Sequence, residues 1–454
     1  METVKIDLIN GKAKEFLTAE QAKFGRMTLV VDQGDYRLCV GTSKKKATVD
    51  DVRHLAGETV KFLRSNGFGQ AVLPGNQIVA HFPEWPEDEV LTAFYEGWLL
   101  GQYAFKKYKN QSSNDVSVEL VIESSKAEAC KITAGQRADA VSVARNLCNE
   151  PPNALNPDTY GDIVSDIFRG TAVDVEVLDA VELEKRGMNG ILTVGRGSVR
   201  KPKLIKLTYQ TSDNAESIAL VGKGVTFDTG GINAKTGDFT DMKMDMGGSA
   251  AVIGAMKLLS NIGAKANVIA LVPVVENVPD GRSFLPSEII QYKNNVSVHV
   301  GNTDAEGRLI LADAILLAQD LGATTVIDIA TLTGSVGHAL GLNVSGVWSN
   351  EEDISLTLKR LGAENGDKVW PMPLVEEYNE WLENPYADIS NIASSPYGGA
   401  ITAALFLQHF VRPETRWAHI DMANTVTPWK VRGYYTEGAS GYGARLLADF
   451  VLTK

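Results

Sequence analysis

The stretch HVGNTDAEGRLILADAILLAQDLG, residues 299–322, decides the fold. Its first residues end a strand near Gly301. Asp304 and Glu306 occupy the connection, and a helix opens near Arg308. Leu309, Ala312, Ile315 and Leu316 recur at helical spacing and form its apolar face. Acidic residues at a helix start complement the dipole, which is an ordinary structural reason for them. Gly307 is harder to explain, because glycine is a poor opening residue for a simply capped helix. The helix start also offers N–H groups to an anion, and Arg308 adds a planar fork for one.

The same strand, connection and helix pattern recurs on either side. Strand-like runs cover Leu204–Tyr209, Ile218–Phe227, Val268–Val275, Val296–Val300, Thr325–Ile329 and Trp417–Met422. Helix-like runs cover Ala250–Asn261, Leu309–Leu321, Asp353–Leu361 and Ala400–Phe410. This alternation implies an α/β fold, with a central mostly parallel sheet flanked by helices. In such sheets ligands gather beyond the carboxyl ends of the strands.

Residues 1–132 read as a small N-terminal α/β domain. Short β-runs fall at 27–31, 36–40 and 116–122, and Leu91, Phe94, Trp98 and Phe105 share a helical face. No chemical constellation stands out there. Residues 133–149 read as a linker helix, because Ala138, Val141 and Cys148 share a face and Pro151–Pro152 ends it. Residues 150–454 then form the larger C-terminal domain.

Composition bounds the function. The chain has 454 residues, 44% apolar and 22% charged, which fits a globular protein and excludes a disordered or fibrous one. The charge sum, 44 − 56 = −12, argues against a nucleic-acid partner. Cys39, Cys130 and Cys148 form no CxxC pair, so neither a disulfide framework nor a thiolate metal site is implied. The charged start METVKIDLINGKAKEF has no apolar leader pattern. The run VIALVPVV (268–275) has strand length, far below the roughly 20 residues that span a bilayer. A soluble cytoplasmic protein with no membrane partner is the expectation.

The second informative stretch is VGKGVTFDTGGINAKTGDFTDMKMDMGGSA, residues 221–250. Lys223, Asp228, Lys235, Asp241, Lys243 and Asp245 crowd into it, between glycine pairs that permit close backbone approach. A phosphate loop fails on spacing, since no GxxxxGK[ST] is present. Asp228, Asp245, Asp304 and Glu306 all follow strands. Four converging carboxylates repel unless cations separate them. A pair of divalent ions does so, typically ~3.5–4 Å apart with a shared nucleophilic water. The six histidines, His54, His81, His299, His338, His409 and His419, include no HExxH and no close pair. An oxygen-rich site suits Mg²⁺, Mn²⁺ or a carboxylate-ligated Zn²⁺.

NTDAEGRLILAD (302–313) resembles the signature of the leucyl aminopeptidase, or cytosol aminopeptidase, family. VGKGVTFDTGG and MDMGGSA resemble its other metal-site motifs, and EPPNALNP resembles its interdomain junction. The resemblance covers roughly 135–454 and is weak over 1–130. It implies a metallo-aminopeptidase with two divalent ions, Mn²⁺ or Zn²⁺, held by Lys223, Asp228, Asp245, Asp304 and Glu306. Asp228 and Glu306 match the bridging pair, and Lys223 matches an amine ligand. Lys235 matches the catalytic lysine facing the substrate carbonyl, and Arg308 the arginine that holds bicarbonate. Met242, Thr331, Leu332 and Gly334 match residues that border the substrate. The resemblance further implies attack by a metal-bridging hydroxide on peptides with a free N-terminus, and a homohexamer.

Physics agrees with most of these roles. A lysine binds a metal only as the neutral amine, so metal and burial must lower its pKa. On residues alone, Lys223, Lys235 and Met242 also have structural readings as salt-bridge, surface and core residues. Arg308 can pair with Glu306. Two other classes stay open at this point, a dimetal phosphoesterase and a non-catalytic oligomeric relative.

Overall fold

The computed structural model of the chain describes residues 2–10, 18–32, 34–110, 117–212 and 216–454. They divide into two compact units. The first comprises Met1–Ser142, Glu364–Gly366 and Lys430–Glu437; the second comprises Val143–Ala363, Asp367–Trp429 and Gly438–Lys454. The division falls inside a long helix, Ala127–Asn149.

The first unit holds β1 (Thr3–Ile9), β2 (Met27–Asp32), β3 (Asp35–Gly41), β4 (Gln70–Pro74) and β5 (Glu119–Glu123). They form one sheet in the order β2-β3-β1-β4-β5. A capping box between Thr48 and Asp51 starts the helix Val49–Ser65, whose Val52, Leu55, Ala56, Val60 and Leu63 are buried. Leu91, Phe94 and Trp98 are buried on the helix Glu87–Gly101 as their spacing predicts. Phe105 lies beyond that helix, which has ended at Gly101. Val116, the first residue of the run expected at 116–122, lies outside the described residues.

The second unit holds twelve strands among the described residues. In chain order they are β6 (Asp174–Leu178), β7 (Lys203–Gln210), β8 (Ser217–Gly222), β9 (Gly224–Asp228), β10 (Asn267–Asn277), β11 (Ile289–Gln291), β12 (Ser297–His299), β13 (Thr325–Ala330), β14 (Ser345–Ser349), β15 (Val369–Pro371), β16 (Ile389–Ser390) and β17 (Arg416–Asp421). The main sheet runs β15-β14-β17-β13-β8-β10-β7-β6, with β9 also paired to β10. Its centre, β17-β13-β8-β10, is parallel. Antiparallel pairs β14·β17, β10·β7 and β6·β7 lie toward the edges. Every residue of β13 is buried, so its alternating side chains meet covered faces on both sides of the sheet. The helices Gly247–Asn261 and Gly307–Asp320 both pack on β8, β10 and β13.

Two expectations change. The run 296–300 joins a separate three-stranded sheet, β11-β12-β16, rather than the parallel one. The run 218–227 is not one strand. It breaks at Lys223 into β8 and β9, both parallel to β10. The break does not orphan the backbone. Lys223 N–H donates to Ile329 O (3.1 Å), and Lys223 O accepts from Ser249 N–H (2.9 Å).

Asp313 ties two helices of this unit together. It is buried in the helix Gly307–Asp320, and its Oδ2 accepts the Ile191 N–H (2.9 Å) in the first turn of Asn189–Val194. Burial pushes its carboxyl up to about 8. The folded state therefore holds this proton more tightly than the unfolded chain, and its contribution to stability falls as pH rises from the carboxylate range through about 8. We expect Asp313→Asn, which keeps an acceptor but cannot ionise, to lose less stability than the wild type between pH 5 and 8 (about those limits). Asp313→Ala leaves the buried N–H unpaired and costs about 1–3 kcal/mol. Denaturant midpoints at both pH values check this. Parallel pH profiles for the wild type and Asp313→Asn would contradict it.

Candidate metal centre

The carboxyl ends of β8 and β9 deliver the first group of side chains. Because the strand breaks at Lys223, this side chain leaves the ladder and enters the space below the Gly307–Asp320 helix. Gly307 is what makes room. A Cβ there meets Lys223 Cε at 2.6 Å and Nζ at 2.8 Å. This answers the question that glycine posed in the sequence: its missing side chain is the channel for a lysine. Gly248 serves similarly, since a Cβ on it meets Ile329 O at 2.1 Å. At Gly230 and Gly231 the requirement is conformational, with φ of 89° and 66°.

Lys223 Nζ lies 2.8 Å from Asp245 Oδ1, 2.9 Å from Glu306 Oε1 and 2.9 Å from Thr331 O. Lys235 Nζ lies 2.7 Å from Asp228 Oδ2 and 2.5 Å from Asp304 Oδ1. Two ammonium groups thus interleave four carboxylates. Burial works against the Lys223 ammonium, but Asp245, Glu306 and Asp228 outweigh it and hold the group above the usual lysine range. Lys235 is held up in the same way, by Asp228 and Glu306 against burial. The carboxyls bear the opposite strain. Burial, with Asp228 adding to it, pushes Glu306 up to about 8. Burial raises Asp245 to about 6 and moves Asp304 upward as well.

The positive charge supplied by the protein does not satisfy this cluster. Carboxylate oxygens of Asp228, Asp245 and Glu306 lie within 4.8 Å of one another. Asp245 Oδ2 and Glu306 Oε2 are buried without a hydrogen-bond partner. Buried polar atoms are rarely left unpaired, and oxygens on two converging carboxylates are the donor type that hard divalent cations take. The residues present therefore fit a metal centre.

A supporting set of side chains was not legible in the sequence. Asn277 Nδ2 donates to Asp228 Oδ1 (2.8 Å) and to Thr303 O (3.0 Å), fixing one carboxylate and the loop before Asp304 together. Asn391 accepts from Gly301 N–H (2.7 Å) and donates to Asn302 O (2.7 Å), so it braces the 301–306 connection. Asp421, at the end of β17, accepts from Leu332 N–H (3.1 Å) and Thr333 Oγ1–H (2.7 Å). Only the C-terminal position of Asp421 on an expected strand signalled it. The two asparagines sit in stretches with no distinguishing pattern.

The other expected residues fall around one cavity of about 320 Å³. Lys223, Asp228, Lys235, Met242, Asp245, Asp304, Glu306, Thr331, Leu332 and Gly334 all line it. Thr331 does more than border it, because its Oγ1 donates to Asp245 Oδ1 (2.8 Å). Arg308 is not in the lining. It is buried, its Nη1 donates to Asn391 O (2.7 Å), and its Nε has no partner. It makes no ion pair with Glu306 among the described residues. Burial lowers its pKa to about 10, so it stays cationic at neutral pH.

Comparison with known proteins fits this geometry. Residues 142–448 match the catalytic domain of the cytosol aminopeptidase family. A protein of Persephonella marina named "Probable cytosol aminopeptidase" is 36% identical over 427 residues, covering 92% of this chain and 86% of the relative. One of the same name from Nostoc punctiforme is 40% identical over 379 residues, covering 82% and 76%. Among solved structures, the bottromycin maturation enzyme BotP superposes with a TM-score of 0.91 at 28% identity, covering 100% of this chain and 99% of that one. A structure of the same enzyme in complex with Mn gives 0.91 at 28% identity, covering 99% and 98%. The chain belongs to the cytosol aminopeptidase family and is a metallo-aminopeptidase that removes N-terminal residues from peptides.

Proposed function

We propose that Lys223, Asp228, Asp245, Asp304 and Glu306 hold two divalent cations, Mn²⁺ or Zn²⁺, with Asp228 and Glu306 shared between them. The observation that carries this is the pair of unpartnered buried oxygens on Asp245 and Glu306. When bound, such a pair polarises a peptide carbonyl and supplies nucleophilic water at neutral pH. The cavity lining contains no histidine, which is the ligand a dimetal phosphoesterase site commonly adds.

The two lysines divide the remaining work by their accessibility. Lys223 is 4% exposed and has nowhere to go, so it shares the site only by giving up its proton and donating its lone pair. Lys235 is 26% exposed, on the cavity side. It stays protonated, turns from Asp228 and Asp304 toward the substrate, and stabilises the negative charge that develops on the carbonyl oxygen. Arg308, cationic and short of one partner at Nε, would hold a bicarbonate, which would supply a proton carrier when bound. Met242, Thr331, Leu332 and Gly334 border the substrate.

The reading extends to the whole protein. Residues 1–132 form the N-terminal domain and 150–454 the catalytic domain, with 133–149 of the helix Ala127–Asn149 as the linker. The enzyme assembles as a homohexamer and acts in the cytoplasm on peptides with a free N-terminus, without nucleic-acid or membrane partners. Among the described residues no helix is long and apolar enough to cross a membrane.

Glu306→Ala is expected to lose both bound metal and aminoacyl-amide hydrolysis. Metal content per chain, measured beside turnover, checks it. Two ions and wild-type turnover in that variant would refute the assignment.

The lysines are expected to fail differently. Lys223→Ala weakens metal affinity. Lys235→Ala keeps the metals and substrate binding and lowers kcat by about 10²–10³, the usual loss for one preorganised donor. The comparison needs kcat and metal content for both variants. An unchanged kcat in Lys235→Ala, or metal loss there, would reverse the assignment.

A further inference from the structure

The cavity is lined by five carboxylates, Asp228, Asp241, Asp245, Asp304 and Glu306. Four of them are engaged by Lys223 and Lys235. Asp241 is exposed, and its side chain makes no hydrogen bond or ion pair among the described residues. It belongs to neither lysine and to no part of the mechanism above.

Its backbone is nevertheless well held. Asp241 lies in the 3-10 turn Thr240–Met244. Asp238 Oδ1 accepts the Thr240 N–H before it (2.8 Å), and Met242 N–H donates to Phe239 O (2.9 Å) across it. Just after it, Lys243 Nζ is occupied by Asn149 O (2.8 Å) and does not neutralise Asp241. Met242, Leu332, Ala423 and Val426 supply apolar lining to the same cavity, alongside Thr331, Thr333 and Thr427. A carboxylate left without a cationic partner beside apolar lining favours a ligand with a long aliphatic stem and a cationic end. Lysine and arginine have that form, burying the stem and keeping the head at a polar rim.

We propose that Asp241 is a specificity-determining residue that favours peptides whose N-terminal residue is lysine or arginine. This rests on the reading that the cavity receives the N-terminal side chain. The interaction is with an exposed carboxylate, so its effect on rate is modest. Surface ion pairs correspond to about two- to fivefold.

The test compares lysyl, norleucyl and leucyl 4-nitroanilides with the metal-loaded full-length enzyme and with Asp241→Asn. Norleucine matches the stem of lysine without its charge. The lysyl-to-norleucyl ratio of kcat/KM is expected to exceed one in the wild type and to fall about two- to fivefold in Asp241→Asn. Raising the salt concentration should shrink the wild-type preference. A ratio unmoved by the substitution overturns the proposal. So does an equal loss on all three substrates, which places Asp241 against the shared α-amine. If the wild type hydrolyses none of the three, the reading of the cavity itself fails, and that outcome is distinct from an unmoved ratio.

Discussion

Buried carboxylates that converge on one point must find positive charge or lose their own. In this protein Lys223 meets that constraint at the floor of the site, between Asp245 and Glu306 at 2.8 and 2.9 Å. Lys235 meets it at the mouth, between Asp228 and Asp304. Even so, burial raises the carboxyls of Glu306 and Asp245, and one oxygen of each has no partner. Proteins do not retain buried carboxylate oxygens without partners for stability alone, because each costs free energy unless it is compensated. We read the compensation as functional: the unsatisfied oxygens that destabilise the bare cluster are what a divalent ion would take up.

The fold exists to deliver those groups to one place. β8 stops at Gly222, β9 resumes at Gly224, and the residue between them points into the site while its backbone still pairs with Ile329 and Ser249. β13 runs beside β8 and ends at Ala330, so Thr331 arrives next to Asp245. β17 runs beside β13 and ends in Asp421, which pins the 332–333 backbone. Three adjacent parallel strands thus end at one height, the position where α/β sheets place their ligands. Packing at the helix starts is equally constrained, since a methyl group at Gly248 or Gly307 collides with a strand carbonyl or with Lys223.

Much of this was legible in the residues and some was not. The α/β alternation, the carboxylate set and the oddity of Gly307 are local patterns, and local patterns survive in a single sequence. The break at Lys223 is hidden in the sequence because VGKGVTFD reads as one β-run; hydrophobic periodicity records burial, not the direction in which one lysine leaves a strand. The run 296–300 joins a sheet other than the parallel one, which strand propensity cannot reveal because it carries no information about pairing partners. Asn277 and Asn391 were invisible for a related reason. Each acts on residues tens of positions away, and nothing in its own neighbourhood marks it. The contact of Thr331 with Asp245 spans 86 positions and leaves no local trace in the sequence.

Anomalous diffraction at the Mn edge from crystals of the Mn²⁺-loaded protein would locate the ions directly. Two peaks per chain are expected among Asp228, Asp245, Asp304 and Glu306, with Lys223 Nζ facing one of them and Lys235 turned away from Asp228. A carboxylate cluster without a peak, with both lysines still seated between the acids at saturating Mn²⁺, would contradict it.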